Sequence, residues 1–434
     1  MKRLLRTLIL LLLRIIGAPG AFFAARRARI PVSRAPRILL VRPDHLGDML
    51  LATPVLDALK AQLPQAQITM MVGPWSSEIV ARHPAIDRLI TCPFPGFQRA
   101  PQKALAPYFL LVKAARQLRR QHYDLAINLR PDFWWGAALL YLACIPRRVG
   151  YALAPGKPFL THALPFQSPE HATRSNLRLA SAGLALLGAQ PLPEPFTPAA
   201  YPLRFEPKAE ERAWVAERLR KEGIDAETPV VIIHPGSGAP VKLWRAEAWT
   251  YIANTLTKTL TTATPARIIL TGSKSEQSLL MEIAQSMTTP PVTITDATVG
   301  QLAALLGRAM LVLGVDSGPL HLAVAQGTPT VAIFGPTDAR IFGPWGEARQ
   351  HLVVASQLRC PGCPCIPCGR LDFSPDELAA HPCVRNIPEQ SVLAAINAPG
   401  LLRQQRDNVE AQLQTARDIN SYGNNTDTNS STIA

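Results

Sequence analysis

Uninterrupted apolar runs are short in this chain of 434 residues. That of the amino-terminal segment, Thr7 to Leu13, lies between Arg6 and Arg14, and the runs stay well below the roughly 20 residues that cross a bilayer, so no spanning segment is expected. Charge is sparse too: 18% charged against 47% hydrophobic residues excludes general disorder. Acid is absent until Asp44, whereas residues 1–42 hold ten Lys or Arg. Most of the formal charge of +14 therefore sits in that segment, and the remaining chain, with 35 basic and 31 acidic residues, is nearly neutral. With no aromatic-rich basic stripe and no zinc-finger spacing, nucleic acid is not an expected partner. The 41 prolines are scattered rather than periodic, which excludes collagen-like arrays. This length predicts two domains of about 150 to 200 residues.

What is present begins with a basic arm at residues 1–36. Leu4, Leu5, Leu8, Leu12, Ile15 and Ile16 recur at helical spacing, with Lys2, Arg3 and Arg6 ahead of them and Arg26, Arg27 and Arg29 behind. A basic amphipathic helix of this kind suits an anionic membrane surface, and a peripheral anchor is the expectation. A secretory signal and an arm packed on the body are the alternatives.

From Arg37 onward, short apolar runs alternate with helical patterns. Strands are expected at Arg37–Arg42, Gln67–Val72, Asp87–Thr91 and Tyr123–Asn128, then at Pro229–His234, Arg267–Thr271, Met310–Gly314 and Thr330–Phe334. Helices are expected near Thr53–Leu63, Ala104–Arg120, Thr173–Leu187, Ala246–Leu256, Ser275–Ser286, Val299–Leu306 and Pro319–Gln326. Alternation with Val/Ile/Leu-rich strands implies α/β domains whose parallel sheets are covered on both faces. The proline-dense segment 191–207 reads as a linker between domains at 37–190 and 208–400. The polar tail 401–434 is expected to be disordered. Two doubly wound domains would set the carboxyl ends of both sheets around one interdomain cleft.

Three motifs carry chemistry. In the first, Ile38-Leu-Leu-Val-Arg-Pro-Asp44-His-Leu-Gly47-Asp48, a strand gives way to a loop that puts the Asp48 carboxylate at the cleft. Read alone, the motif favours a helix cap for Asp48. In the second, Val230-Val-Ile-Ile-His234-Pro-Gly236-Ser237-Gly238-Ala-Pro-Val-Lys242, a Gly/Ser turn and one lysine follow a strand, an arrangement suited to a diphosphate. It lacks the Gly-Lys-Ser/Thr of a Walker A loop. In the third, Gly314-Val-Asp316-Ser317-Gly318-Pro319-Leu320-His321 followed by Phe334-Gly-Pro-Thr-Asp338, a strand meets a helix with proline in its first turn. The amides and dipole there make a second anion site.

Together these motifs resemble glycosyltransferase family 9, the heptosyltransferase-like enzymes of lipopolysaccharide inner core, from about Arg37 to about Pro388. The resemblance implies the GT-B arrangement of two Rossmann-like domains, with a nucleotide-sugar donor, ADP-heptose by family expectation, on the second domain. It implies a lipid-linked saccharide acceptor on the first. By motif position, Asp48 corresponds to the general base. Ser237, Lys242, Ser317, Gly318 and Leu320 correspond to donor-phosphate contacts, and Asp316, His321 and Glu276 to donor sugar or nucleoside contacts. Inverting transfer needs a carboxylate for the attacking hydroxyl and positive charge for the departing diphosphate. No cofactor is required if Lys242 and the amides stand in for a divalent cation. The enzyme is expected in the cytoplasm, peripheral at the inner face of the plasma membrane. An epimerase of the same architecture and a non-catalytic nucleotide-sugar-binding protein are the alternatives.

Two features stand apart. Cys360, Cys363, Cys365 and Cys368, with Cys383 nearby, offer thiolates for a structural zinc, although the pairs are closer than in zinc ribbons; a structural loop is the other reading. Phe133, Trp134 and Trp135 offer aromatic faces for a sugar or lipid, or pack in the core.

Overall fold

The computed structural model describes residues 2–98, 105–260 and 265–401. The tail expected to be disordered lies outside the described residues from position 402 onward. Among the described residues, twelve strands form two six-stranded, wholly parallel sheets. The first comprises β1 (Arg37–Arg42), β2 (Gln67–Val72), β3 (Arg88–Thr91), β4 (Leu125–Asn128), β5 (Arg147–Tyr151) and β6 (His162–Leu164), in the order β3-β2-β1-β4-β5-β6. The second comprises β7 (Val230–His234), β8 (Arg267–Thr271), β9 (Val292–Ile294), β10 (Leu311–Val315), β11 (Thr330–Phe334) and β12 (His351–Ala355), in the order β12-β11-β10-β7-β8-β9. Each sheet thus reverses direction of winding between its first and fourth strands, the doubly wound pattern whose crevice lies at the strand carboxyl ends. Burial on both faces explains the apolar runs: every residue of β4, β7, β10 and β11 is buried.

The eight expected strands form, with ends moved by at most two residues. Four were not expected. In β5 the pattern is masked by Arg147 and Arg148, both buried and both bonded to backbone carbonyls: Arg147 Nη2 to Ala28 and Ile30, and Arg148 to Ile145 and Phe159. β6 and β9 have three residues each, too few to show alternation, and β12 closes the second sheet with a partly exposed edge. Helices at Trp134–Leu142, Ala209–Lys221 and Glu389–Ile396 were also unexpected.

The proline-dense segment contains no helix or strand but is not a loose tether. Leu192, Phe196, Tyr201, Leu203 and Phe205 are buried, and Trp345 Nε1 donates to the Tyr201 carbonyl at 2.7 Å. Direct contacts between the halves supplement it. His171 stacks on Trp345 with centroids 4.6 Å apart, and Arg82 makes a bidentate pair with Glu211, at 2.6 and 3.0 Å.

The arm corrects the expectation that nothing is long and apolar enough to span a bilayer. Lys2–Arg27 is one helix, and Thr7–Arg27 has the length and composition of a spanning segment, because Gly, Ala and Phe continue the apolar pattern past Arg14. It also packs on the body. Leu13 and Ala24 are buried, Tyr141 Oη donates to the Arg14 carbonyl at 2.8 Å, and a Cβ at Gly17 or Gly20 would strike Tyr141 or Cys144.

The partly buried Arg82–Glu211 pair should hold the halves together. Bidentate charge-assisted geometry predicts a coupling of about 1 to 3 kcal/mol. The check is a double-mutant cycle with Arg82→Ala and Glu211→Ala in urea unfolding; additive losses would remove the clamp.

Candidate active site

The two winding reversals face each other. After β1 the chain forms Arg42-Pro-Asp44 and the short helix Leu46–Leu50; after β10 it forms Asp316-Ser317 and the helix Gly318–Ala325. These helices meet glycine to glycine. A Cβ at Gly47 would lie 2.9 Å from His321 Cδ2 and 3.3 Å from Gly318 Cα, and one at Gly318 would lie 2.6 Å from Leu46 Cδ2. Asp48 and the Asp316 group are thereby brought to opposite walls of one cleft.

On the first wall, Asp44 is buried between two arginines. Arg42 Nε stands 2.6 Å from its Oδ2, and Arg130 Nη1 bonds its Oδ1. Arg42 is anchored in turn by the Leu129 carbonyl at 2.9 Å and Asn176 Oδ1 at 3.0 Å, and its Nη2 reaches Asp48 Oδ1 at 3.6 Å. Asp48 is 33% exposed, as open as Arg130 and far more open than Arg42 and Asp44. Desolvation by the surrounding walls, then the neighbouring Asp44 charge, pushes its pKa from 3.8 up to about 6 against the pull of Arg42 and Arg130. The cap reading fails: the N-cap of its helix is His45, and Asp48 lies inside the first turn.

On the second wall, Lys242 Nζ lies 2.7 Å from Asp316 Oδ2, and Thr337 Oγ1 donates to the same oxygen. A lysine ammonium has three donors, so two remain for a ligand. Ser317 Oγ and His321 Nδ1 are buried and have no hydrogen-bond partner among the described residues. Such groups are costly unless a ligand satisfies them. Burial keeps the His321 pKa below its ordinary 6.5, so the ring is neutral at pH 7. Ser237 follows β7, and Glu276 comes to it from the loop after β8: a Cβ at Gly236 would lie 2.0 Å from Glu276 Oε1. Glu276 Oε2 is committed to the capping box at Ser273, at 2.7 Å from both its N–H and its Oγ.

The structure thus gathers Lys242, Asp316, Ser317, Gly318 and His321, and sets Ser237 and Glu276 around the adjoining turn. Leu320 is different. Its side chain is buried and its N–H donates to Ser317 O at 3.2 Å, which leaves Gly318 as the first-turn amide of that expected trio nearest the other wall. Arg42, Asp44, Arg130 and Thr337 belong to the site although no role was expected of them. A signal existed: Arg-Pro-Asp follows β1 at 42–44 and β4 at 130–132, and β1 and β4 are neighbours.

Nothing in the structure supports the zinc reading of the cysteines. Cys360, Cys363, Cys365, Cys368 and Cys383 line one small pocket with His381, but among the described residues no group of three or more His, Cys, Asp or Glu is placed to hold an ion. Cys365 is exposed with Sγ on the Pro367 carbonyl at 3.1 Å, Cys363 faces His381 Nδ1 at 3.5 Å, and Cys360 and Cys383 are buried in the second domain's core. All seven thiols are unpaired by disulfides. This segment is a packed lobe behind Val241, beside Lys242.

A sequence profile described as Glycosyltransferase family 9 (heptosyltransferase) matches residues 111–366. The chain belongs to glycosyltransferase family 9. Lipopolysaccharide heptosyltransferase 3 of Escherichia coli is 30% identical over 313 residues, 69% of this chain and 84% of that protein. The family 9 glycosyltransferase of Veillonella parvula superposes with a TM-score of 0.66 at 23% identity, over 85% of this chain and 97% of that one. The E. coli ADP-heptose lipopolysaccharide heptosyltransferase II gives 0.62 at 21% identity, over 85% and 99%. The fold is the GT-B arrangement, and the protein is a glycosyltransferase, which removes the epimerase and non-catalytic alternatives. The profile covers the Lys242 and Asp316 wall of this glycosyltransferase but begins beyond Asp48, whose role therefore rests on geometry.

If Lys242 serves a diphosphate, Lys242→Ala should weaken ADP binding more than tenfold, about 1.5 to 3 kcal/mol for a charge-assisted contact. Calorimetric titration with ADP checks this, and an unchanged affinity would remove the role.

Proposed function

We propose that the enzyme transfers heptose from ADP-heptose, with inversion, to a lipid-linked saccharide of the lipopolysaccharide core. The observation that carries this reading is the meeting of Asp48, poised at a pKa of about 6, with the lysine, serine and histidine of the opposite wall across the Gly47–Gly318 contact. The donor is named by family and by relatives called heptosyltransferases.

In this reading Asp48 accepts the proton of the acceptor hydroxyl as its oxygen bonds to the anomeric carbon. The bond from that carbon to the diphosphate breaks on the opposite face, and ADP departs. One displacement inverts the configuration. Lys242 and the first-turn amides of Gly318–Ala325 meet the charge that develops on the leaving oxygen, and Ser317 Oγ and neutral His321 add hydrogen bonds to the donor. Ser237 and Glu276 lie toward the phosphates and nucleoside. Asp44 and Arg42 orient the base. The positive charge in this wall does the work otherwise given to a divalent cation, so the reading requires no cofactor.

A base with a pKa near 6 is mostly ionised at pH 7 while still able to take a proton. Asp48→Asn should therefore lower single-turnover transfer roughly 10² to 10⁴-fold with ADP affinity nearly unchanged. Wild-type transfer should rise with pH through about 6. The same shift has a sign for stability: a carboxyl that holds its proton more tightly when folded loses stability as pH rises from 3.8 to about 6. The asparagine variant should accordingly melt no lower than wild type at pH 8, with a gain on the order of 1 kcal/mol at most after solvent screening. Near-normal transfer would leave the base unidentified.

The arm is read as a peripheral anchor at the cytoplasmic face of the plasma membrane. Leu8, Leu12, Ile15, Ile16, Phe22 and Phe23 are exposed on a helix whose opposite stripe packs on the body, and the arm carries basic residues without acid. The full chain should float with anionic phosphatidylglycerol vesicles, whereas Leu12→Ser/Ile16→Ser/Phe23→Ser and a chain starting at Ser33 should not. Equal flotation of all three would sink the idea.

A further inference from the structure

Beside the Asp48 group, the first domain opens into a cavity of about 380 Å³, a size that admits a small ligand. Its walls are aromatic and its edge is charged: Phe97, Tyr108 and Trp134 line it together with Arg130 and Asp132. The Tyr108 and Trp134 rings lie 6.5 Å apart at a tilt of 39°, and the Arg130 guanidinium sits 5.0 Å above Phe97. Phe133 and Trp135 are otherwise engaged. Both are buried, edge-on to Phe94, so core packing claims two of the three aromatic residues read as a platform.

The cavity shares a residue with the base. Arg130 Nε donates to Asp132 Oδ1 at 2.8 Å, while its Nη1 holds Asp44, the buried neighbour of Arg42 and Asp48. A ligand here lies one side chain away from the network that holds the candidate base. Nothing on the donor wall lines this cavity.

The chemistry selects the ligand. A lipid chain would satisfy the rings but would cover Arg130 and Asp132 without giving them partners. An anionic ligand finds Arg130 already offset by two carboxylates, and meets Asp132, which is 65% exposed, as a like charge. A neutral sugar ring fits both parts: its C–H face lies on aromatic rings, and its hydroxyls donate to a carboxylate, which only accepts. We propose that this cavity is an acceptor subsite that binds an uncharged sugar ring of the acceptor. The proposal rests on the transfer reading only in supposing that the acceptor is a saccharide.

The probe is a deacylated lipopolysaccharide core oligosaccharide that contains heptose, followed by saturation-transfer NMR in the presence of ADP. Saturation should concentrate on ring protons of a neutral sugar. Tyr108→Ala and the exposed Asp132→Ala should each weaken oligosaccharide binding at least fivefold and raise its KM in transfer, with kcat, ADP affinity and melting temperature close to wild type. Unchanged binding in both variants, no binding by wild type, or displacement of the oligosaccharide by ADP would overturn the subsite. Failure of the transfer reading looks different: the oligosaccharide binds through Tyr108 and Asp132, but no heptose is transferred from ADP-heptose.

Discussion

The contact between Gly47 and Gly318 is the constraint on which the site depends. Each position is short of room for a side chain, since a Cβ on either would strike a side chain of the other domain and crowd the backbone behind it. Below about 3 Å such a contact forces something to move: the nearest neighbours are the side chains of His321 and Leu46, at 2.9 and 2.6 Å, with helix backbone close behind at 3.3 and 3.2 Å. The two glycines therefore fix how close the strand ends of one sheet come to those of the other. They bring Asp48, one residue beyond Gly47, close enough to the opposite wall to feel the charge of Asp316. Everything that the cleft can do chemically follows from that approach, because neither wall holds both a base and a cation for the leaving group.

Electrostatics then divides the labour. Asp44 and Asp48 are close in sequence and share arginines, yet they differ in kind. Asp44 is buried with two guanidinium partners and acts as a fixed counter-charge. Asp48 has only a distant arginine contact, and the Asp44 charge disfavours its own ionisation. The raised pKa of Asp48, about 6, is what lets it exchange a proton near neutral pH. Across the cleft, Asp316 gives up its charge to Lys242 and Thr337, which orients the lysine while leaving it donors for phosphate. The surplus positive character there comes from the helix end and the remaining lysine donors rather than from a large basic patch, consistent with a body whose net charge is small.

The fold was legible where burial on both sheet faces leaves an apolar run, and the grouping of Lys242 with Asp316, Ser317 and His321 was legible because these residues lie within two short motifs next to strands β7 and β10. The partners Arg130 and Asp44 are 86 positions apart, and only the pairing of β1 with β4 brings them together, so no local pattern marks them as a unit. The recurrence of Arg-Pro-Asp after both strands becomes meaningful once those strands are neighbours. β5 escaped for the opposite reason: Arg147 and Arg148 look like surface residues, but carbonyl acceptors satisfy their donors inside the protein.

The arm shows how a docking stripe and an exposed apolar surface coexist on one helix. Leu13, Gly17, Gly20 and Ala24 follow at intervals of four, three and four, one face of an α-helix, and these are the positions that press on the body. Small residues let the helix lie close to Tyr141 and Cys144, which accounts for its adhesion. That stripe does not account for the leucines, isoleucines and phenylalanines on the rest of the circumference, since they contribute nothing to the core and cost hydration where they stand. On the proposed reading, a membrane surface gives them a role that the fold does not. The helix Trp134–Leu142 ties this surface to the chemistry, for its first residue lines the aromatic cavity while Tyr141 holds the arm. Seven residues of helix separate them, about 10 Å at 1.5 Å per residue. On the proposed reading, an acceptor whose lipid stays in the bilayer has to present its sugar only that far along the protein to reach the cavity beside Asp48.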